Sequence, residues 1–291
     1  MKIWPDCVPC IEKMALGICR VALKDEKKVR ACMTDVMKLG PLRGEEWNVI
    51  SPVVLLAVWR ILVDHAGASD LMREVKSAQN RKAMEMYAAA KELVLRSPEP
   101  LLAALKLAIA GNELDAMVSV VEDGARGILK KLDNLFLESQ SFEELKVRLD
   151  RASTITYFLD NCGEIVFDKL LIETLLSRKQ ADITIVTRGV PILNDATLDE
   201  ARSVGLQDVA RLIDNGTGEP VAGTVYSMVS PEVKALMEES DLLIAKGVGN
   251  YDALTEEKWL KGRLTMLYHG KCRPCCSAVG ANIGDLIIYN F

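Results

Sequence analysis

The stretch TITYFLDNCGE, residues 154–164, joins a short apolar run to a polar turn that leads into a helical pattern. The run Thr154–Leu159 has the length and the β-branched and aromatic content of a buried strand. Glu164–Arg178 follows with the apolar spacing of a helix. A short apolar strand that passes directly into a helix is typical of parallel α/β folds, in which helices cover both faces of the sheet.

Five further apolar runs of similar length follow, separated by helical patterns such as Ala196–Val204 and Pro231–Ser240. The predicted strands are Ile183–Thr187, Ala210–Ile213, Leu242–Ala245, Leu264–Tyr268 and Leu286–Tyr289. We therefore predict an α/β fold, with a Rossmann-like, mostly parallel, three-layer α/β/α domain over residues 151–291.

The first half of the chain contains helical patterns and no convincing strand pattern. Its main predicted helices are Ile11–Leu23, Ser69–Leu95, Leu101–Ala110 and Leu114–Leu132, the last two separated by the break Gly111-Asn112. The sequence predicts an all-helical domain over residues 1–150, with the boundary near Asp150–Ser153.

Composition and charge exclude several classes of protein. Apolar residues make up 49% of the 291 residues and charged residues 26%, which is typical of a soluble globular protein. The net charge of −5 argues against nucleic acid as the main partner, because phosphate-backbone binding needs a basic face. There is no signal-peptide pattern and no apolar run long enough to span a bilayer. We expect a cytoplasmic protein without a nucleic-acid or membrane partner; the sequence does not determine the oligomeric state.

Polar residues follow each of the first four predicted strands. They are Asp160-Asn161, Asn194-Asp195, Asp214-Asn215 and Lys246-Gly247. Because ligands of open α/β sheets bind outside the carboxyl ends of the strands, we expect these residues to gather at one edge. Each pair alone also fits a helix cap or a turn, whereas their joint occurrence favours a functional site.

Two carboxylates and an amide at adjacent strand ends suit a hard divalent cation such as Mg²⁺ or Mn²⁺. We predict that Asp160, Asn161 and Asp195 bind this metal ion. Lys246 would then meet a transferring phosphoryl group as a fixed positive charge. Gly247 would allow the backbone N–H groups to approach the anion closely.

Several further residues have two possible roles. Glu164 either orients water or caps the following helix, and Asp115 either reaches the site or closes a hydrogen-bond network between domains. Asn250 is a candidate substrate contact, and both histidines, His65 and His269, are expected to be structural or surface residues. The nucleophile, either a water molecule or an aspartate, stays open.

Three motifs together resemble the damage-control metal-dependent phosphatases, formerly a domain-of-unknown-function family numbered eighty-nine, some of whose members are called carboxyl methyltransferases. The motifs are Asp160–Glu164 with Asp168, Pro191–Thr197 with Asp199, and Lys246–Tyr251, and Gly111–Asp115 is similar to a fourth family element. The resemblance covers nearly the whole chain and points to a prokaryotic-type branch with paired cysteines. One departure is Cys162, where the larger eukaryotic relatives usually have alanine.

The resemblance implies a phosphatase that uses Mg²⁺, Mn²⁺, Co²⁺ or Ni²⁺ and acts on small phosphorylated metabolites, such as sugar phosphates or damaged cofactor intermediates. It implies metal ligands at Asp160, Asn161 and Asp195, and a substrate phosphate against Lys246. On this reading Asp160, Asp195 and Lys246 are catalytic. The substrate would contact Lys246, Gly247, Asn250 and Glu164.

Two clusters of cysteines lie near the two ends of the chain. They are Cys7 and Cys10 at the start, and Cys272, Cys275 and Cys276 near the end. Three interpretations stay open: free buried thiols, a disulfide or redox pair, and a second metal ion bound by thiolates. Cys19 and Cys32 fall in helical stretches and are expected in the core.

Two alternative functions remain. The first is an S-adenosylmethionine-dependent carboxyl methyltransferase, against which the turn Asp160-Asn161 replaces the Gly-rich loop that a nucleoside cofactor favours. The second is a metal-binding or redox module centred on the cysteines.

Overall fold

A six-stranded sheet forms the centre of the fold in the computed structural model, which describes residues 1–111 and 135–291. The strands are β1 (Thr154–Phe158), β2 (Asp182–Thr187), β3 (Arg211–Asp214), β4 (Leu242–Lys246), β5 (Leu264–His269) and β6 (Leu286–Asn290). They lie in the order β3-β2-β1-β4-β5-β6, with β1 to β5 parallel and β6 antiparallel to β5. The order reverses between β1 and β4, the place where ligands bind in doubly wound sheets.

Helices precede, connect and cover these strands. In chain order they are α1 (Cys7–Leu23), α2 (Glu26–Val36), α3 (Ser51–Ala66), α4 (Arg73–Arg96), α5 (Pro100–Ala110), α6 (Ser139–Arg151), α7 (Glu164–Arg178), α8 (Leu198–Ser203), α9 (Pro231–Glu239), α10 (Gly247–Leu254) and α11 (Arg273–Ser277). Short 3₁₀ helices cover Leu206–Asp208 and Lys258–Leu260. None of the helices in the described ranges combines the length and the apolarity needed to cross a membrane.

Both faces of the sheet are buried under helices. Successive side chains of a strand point to opposite faces, so each strand contributes to two cores. On one face Ile155, Tyr157 and Ile244 pack with α4 to α8. On the other face Phe158 and Leu243 pack with α9, α10 and α11. Burial on both faces explains why the strands are continuous apolar runs. The predicted α/β class with a mostly parallel sheet is confirmed.

The helices of the first half divide between two cores. Helices α1, α2 and α3 form a cluster around Trp59 that also includes Ile192 and Ala222 from the second half. Helices α4, α5 and α6 instead pack on the sheet and share its core. The hydrophobic core thus crosses residue 150, and the division into domains 1–150 and 151–291 stays a prediction.

Most element positions follow the sequence patterns. Helix α7 has the predicted bounds, and each strand begins and ends within two residues of its prediction. No helix bounds were predicted for α2, α3, α6, α10 or α11. In α10 the glycines and the polar residues Asn250 and Asp252 obscure the helical pattern. The predicted helix Leu114–Leu132 and the candidate Asp115 lie outside the described residues.

Candidate active site

Asp160 and Asp195 lie at the carboxyl ends of the neighbouring strands β1 and β2. They are 7% and 3% exposed, so both carboxyl groups are largely removed from bulk water. Two backbone hydrogen bonds join their loops, from the Ala196 N–H to the Asp160 carbonyl and from the Cys162 N–H to the Asn194 carbonyl, both at 2.8 Å. The loops that carry the two carboxylates are therefore fixed to each other.

Asn161 completes the group of predicted metal ligands. Its side-chain Nδ2 donates to Asp160 Oδ2 at 2.7 Å, and its backbone forms an isolated β-bridge with Asp195. The structure thus brings Asp160, Asn161 and Asp195 together, as the sequence predicts. Their role as metal ligands stays a prediction.

Arg188, the first residue after β2, lies between the two carboxylates. Its Nε donates to Asp195 Oδ2 at 2.7 Å and its Nη2 to Asp160 Oδ1 at 3.2 Å. Its Nη1 donates to Asn250 Oδ1 at 3.2 Å. Sequence reasoning missed this residue, although a basic side chain at a strand end beside two acidic loops was a usable signal.

Lys246 is completely buried, and its ammonium group is bonded entirely within the protein. Nζ donates to the Ala108 carbonyl at 2.8 Å, to Asp168 Oδ1 at 2.7 Å and to Glu164 Oε1. An ammonium group has three protons to donate, so these contacts use all of them. The sequence analysis places Lys246 against a phosphate; in the structure it faces α5 and α7 instead, and direct substrate contact stays a prediction.

Glu164 and Asn250 differ in their access to the site. Glu164 does not cap its own helix; it binds Lys246 and lines the cavity described below. Asn250 is completely buried and bridges strand ends, donating to the carbonyls of Leu159 and Lys246 at 3.1 and 2.8 Å. Its Oδ1 accepts from Thr224 as well as from Arg188. Its predicted substrate contact is likewise untested.

Gly247 occupies a position that no other residue fits. Its φ of +79° lies in the left-handed region, and a Cβ atom there would overlap the carboxylate of Asp160. The glycine lets the backbone pass directly beside the site. By contrast, Asp214 at the end of β3 accepts from the Gly216 N–H in the following turn, and Asn215 accepts from the Gly189 N–H of the loop after β2. Neither lines the cavity.

A cavity of about 260 Å³ opens above these strand ends. Its lining includes Asp160, Asn161, Glu164, Asp195, Gly247 and Lys271, and Ser51 and Leu55 of α3 close it from the side of the first half. Larger cavities, of about 510, 480 and 440 Å³, lie beside α4, beside β6 and beside the starts of β2 and β3. Position relative to the strand ends, and not size, therefore identifies the candidate site.

Burial shifts the ionisation of the acidic residues. It raises the pKa of Asp160 well above its usual range, and the charge of Asp195 raises that pKa further. Burial also raises the pKa of Asp195, against the opposing effect of Arg188. It raises the pKa of Asp168 to about 6, although the charge of Lys246 opposes the shift. All three shifts show that negative charge is costly at this edge.

The buried site contains more acidic than basic side chains. Its carboxyl groups are Asp160, Glu164, Asp168 and Asp195, and its cationic groups are Arg188 and Lys246. With every group ionised, the four carboxylates carry two more negative charges than Arg188 and Lys246 balance, counted over the buried side chains of residues 1–111 and 135–291. Because burying unpaired charge is strongly unfavourable, a divalent cation fits this site by its charge.

The available donor atoms also fit a hard cation. Glu164 Oε2 is buried and has no hydrogen-bond partner among the described residues, and it belongs to a residue that lines the cavity. Within residues 1–111 and 135–291, no group of three or more His, Cys, Asp or Glu side chains is arranged as a metal site. The protein ligands would be the carboxylates of Asp160 and Asp195 and the amide oxygen of Asn161. Water or substrate would complete the set, as is common for Mg²⁺ and Mn²⁺.

Two residues at the end of β5 and just after it also line the cavity, and sequence reasoning gave them no part in the site. Lys271 lines the cavity with an exposed side chain, and its charge acts to lower the pKa of Asp160. His269 lines it too, and its ring nitrogen Nε2 lies 3.1 Å from the Gly284 carbonyl. Their place at the carboxyl end of a parallel strand was the signal that could have identified them.

Comparisons with known proteins agree with this geometry. Residues 3–287 match the damage-control phosphatase ARMT1-like domain. A damage-control phosphatase of Archaeoglobus fulgidus is 31% identical, covering 99% of this chain and 98% of that protein. One of Pyrococcus horikoshii is 30% identical, covering 99% and 97%. The crystal structure of a DUF89 family protein from Pyrococcus horikoshii superposes with a TM-score of 0.87 at 28% identity, covering all of both chains.

The resemblance drawn from the three sequence motifs is thereby confirmed over nearly the full length of the chain. The chain belongs to the damage-control phosphatase ARMT1-like family.

Proposed function

We propose that this phosphatase hydrolyses phosphate monoesters of small metabolites with a divalent cation held by Asp160, Asn161 and Asp195. The observation that carries the proposal is the excess of two buried negative charges, counted over the described part of the chain, at a strand edge that opens into a cavity. A phosphate group alone would be repelled by such a site. A cation between the carboxylates and the phosphate removes this repulsion.

The bound cation would supply positive charge for the phosphoryl oxygens. The protein's own residues hold the carboxylates in place. Arg188 fixes Asp160 and Asp195 through two of its nitrogen atoms. Lys246 fixes Glu164 at the cavity wall and links it to α5. These are positioning contacts, which preorganise the site before the substrate arrives.

Lys271 is the lysine best placed for the substrate phosphate. The ammonium of Lys246 is bonded to protein acceptors, whereas Lys271 is exposed and lines the cavity. Its charge would attract a phosphate to the cavity mouth and lie opposite the buried carboxylates.

The volume of about 260 Å³ favours a small substrate. It is at the lower end of the range for ligand pockets, which suits a phosphate group with a short carbon skeleton such as a sugar phosphate. The methyltransferase alternative has no such observation in its favour, since Asp160 and Asn161 fill the turn after β1.

The test is phosphate release from a panel of phosphorylated metabolites. Enzyme stripped with EDTA would be refilled in turn with Mg²⁺, Mn²⁺, Co²⁺ and Ni²⁺. We expect metal to restore release, and Asp160→Ala to lower it at least about 100-fold. The matched control is Asp182→Ala, an exposed aspartate at the opposite end of β2, which should keep normal release. Full metal-dependent release by folded Asp160→Ala would refute the site.

A further inference from the structure

Two thiols lie side by side where the chain leaves the candidate active site. Cys272 and Cys275 follow Lys271 at the start of α11, and their sulfur atoms are 3.4 Å apart. We infer that Cys272 and Cys275 form a redox-active dithiol that closes to a disulfide by exchange with small disulfides. The inference does not rest on the proposed phosphatase site, since it concerns only the thiols.

The local backbone brings the two sulfur atoms together. Cys272 is the extended residue that precedes α11, and its carbonyl accepts from the Cys276 N–H at 3.2 Å. The same carbonyl accepts from the Cys275 thiol at 3.2 Å. Closing the pair requires the sulfur atoms to approach by a little over about 1 Å, because a disulfide bond is about 2.05 Å long.

The two thiols differ in access to solvent. Cys275 is completely buried, whereas Cys272 is partly exposed. The hydrogen bond from the Cys272 thiol lowers the pKa of the Cys275 thiol and raises the pKa of Cys272, and partial burial raises the pKa of Cys272 further. Exposure, and not ionisation, therefore makes Cys272 the point of entry. Of this pair, an external disulfide can reach only Cys272, and Cys275 is placed to attack the adduct from inside.

The exchange balances in two steps. The thiolate of Cys272 attacks one sulfur of a small disulfide RSSR, which forms a mixed disulfide and releases RS⁻. The thiolate of Cys275 then attacks the Cys272 sulfur, which forms the internal disulfide and releases the second RS⁻. Two electrons pass from the protein dithiol to RSSR, and the two thiol protons leave with the two molecules of RSH.

A second close pair of cysteines provides an internal control. Cys19 of α1 and Cys32 of α2 have sulfur atoms 3.2 Å apart, so proximity is the same. Both are buried, at 1% and 0% exposure, as the sequence predicts. If access at one thiol decides reactivity, the folded protein should oxidise the Cys272–Cys275 pair and leave this pair reduced.

A thiolate-bound metal is the rival interpretation of the same cysteines. The sulfur atom of Cys276 lies 4.0 Å from that of Cys275, and Cys272 is near enough to Cys7 to raise the pKa of Cys7. Yet the thiols of residues 1–111 and 135–291 include no group arranged to hold a metal ion. The geometry favours the dithiol, and the experiment below includes the metal as an outcome that would overturn it.

The experiment exposes the folded protein to oxidised and reduced glutathione in varied ratios, followed by acid quench, alkylation and peptide mapping. Trypsin cuts after Lys271 but not between Arg273 and Pro274, so residues 272–291 form one peptide with three cysteines. We expect oxidation to change this peptide from three alkyl groups to one, with Cys276 as the alkylated thiol. Cys19 and Cys32 should react with the alkylating agent only after unfolding, as free thiols.

Variants separate the two steps. Cys275→Ser should trap glutathione on Cys272, because the attacking thiol is absent. Cys272→Ser should leave Cys275 without an adduct, because the exposed thiol is absent. Cys32→Ser, the control, should leave the exchange unchanged. An adduct on Cys275 in Cys272→Ser, a disulfide from Cys272 to Cys7, or zinc bound stoichiometrically by the isolated protein and lost in Cys275→Ser would each overturn the inference. Circular dichroism would confirm that each variant is folded.

Discussion

At the scale of single residues, the site depends on the contacts that hold Lys246 away from the cavity and on the absence of a side chain at Gly247. Lys246 cannot reach the cavity freely, because Ala108, Glu164 and Asp168 bind its ammonium group. The next residue, Gly247, has no side chain, and so the carboxylate of Asp160 can lie against the backbone. The end of β4 thus provides a buried positive charge at Lys246 and, at the next residue, space for the carboxylate of Asp160.

We predict that Gly247→Ala abolishes phosphate release and that Gly262→Ala does not. Both glycines have left-handed φ, +79° and +84°, so each substitution should cost about 1–2 kcal/mol of unfolding free energy. Only at position 247 would the new Cβ overlap Asp160, whereas nothing lies within 4 Å at position 262. Urea unfolding and metal-dependent phosphate release would measure both effects. Equal activity of the two variants would contradict the assigned role of Gly247.

At the scale of elements, Lys246 joins three of them. It belongs to β4, donates to the Ala108 carbonyl of α5 and pairs with two carboxylates of α7. Tyr157 of β1 adds a hydrogen bond of 2.7 Å to Asp168. A fully buried network of this kind is expected to be costly to break, because the remaining charges lose their partner without regaining water.

Lys246→Met should therefore lower the unfolding free energy by about 3–5 kcal/mol, since Glu164 and Asp168 stay buried without their cation. The double variant Lys246→Met/Asp168→Asn should recover part of this loss, because it removes one of the two uncompensated charges. Lys28→Met, at an exposed position of α2, is the control and should change stability by less than about 0.5 kcal/mol. Urea denaturation curves would compare the four proteins. A loss in Lys246→Met no larger than in the control would show that the network is not structural.

At the scale of the whole molecule, the two halves of the chain build one site. Ser51 and Leu55 of α3 close the cavity, while α5 supplies the carbonyl that holds Lys246. The carboxylates of Asp160 and Asp195 lie in the loops that follow β1 and β2. Anything that binds only this assembled arrangement should stabilise the fold as a whole.

Divalent metal should therefore raise the melting temperature of the chain. A metal concentration about 100 times its Kd would add about 2.7 kcal/mol of unfolding free energy, which corresponds to several degrees for a protein of this size. The increase should be lost in Asp195→Ala and kept in Asp182→Ala. Thermal unfolding with EDTA and with Mn²⁺ measures it without any substrate. The same increase in Asp195→Ala would place the metal elsewhere.

The sequence alone determined the positions of the strands, of helices such as α7, and the residue types at the strand ends. Apolar runs such as Leu242–Ala245 identify buried strands because burial on both faces excludes polar residues. The polar residues after them gather at one edge because parallel strands end there together. This logic predicted that Asp160, Asn161 and Asp195 lie close together, and the structure has them so.

Only the tertiary structure decided the direction of each side chain. Lys246 points to α5 and α7 because its acceptors lie on residues 138 and 82 positions away in the chain, which no local pattern reveals. Arg188 contacts both Asp160 and Asp195, and Lys271 lines the cavity. The local sequence patterns revealed neither arrangement. Local sequence patterns indicate which residues are buried. The counter-charge of a buried charged group comes from residues distant in sequence, so only the tertiary structure shows it.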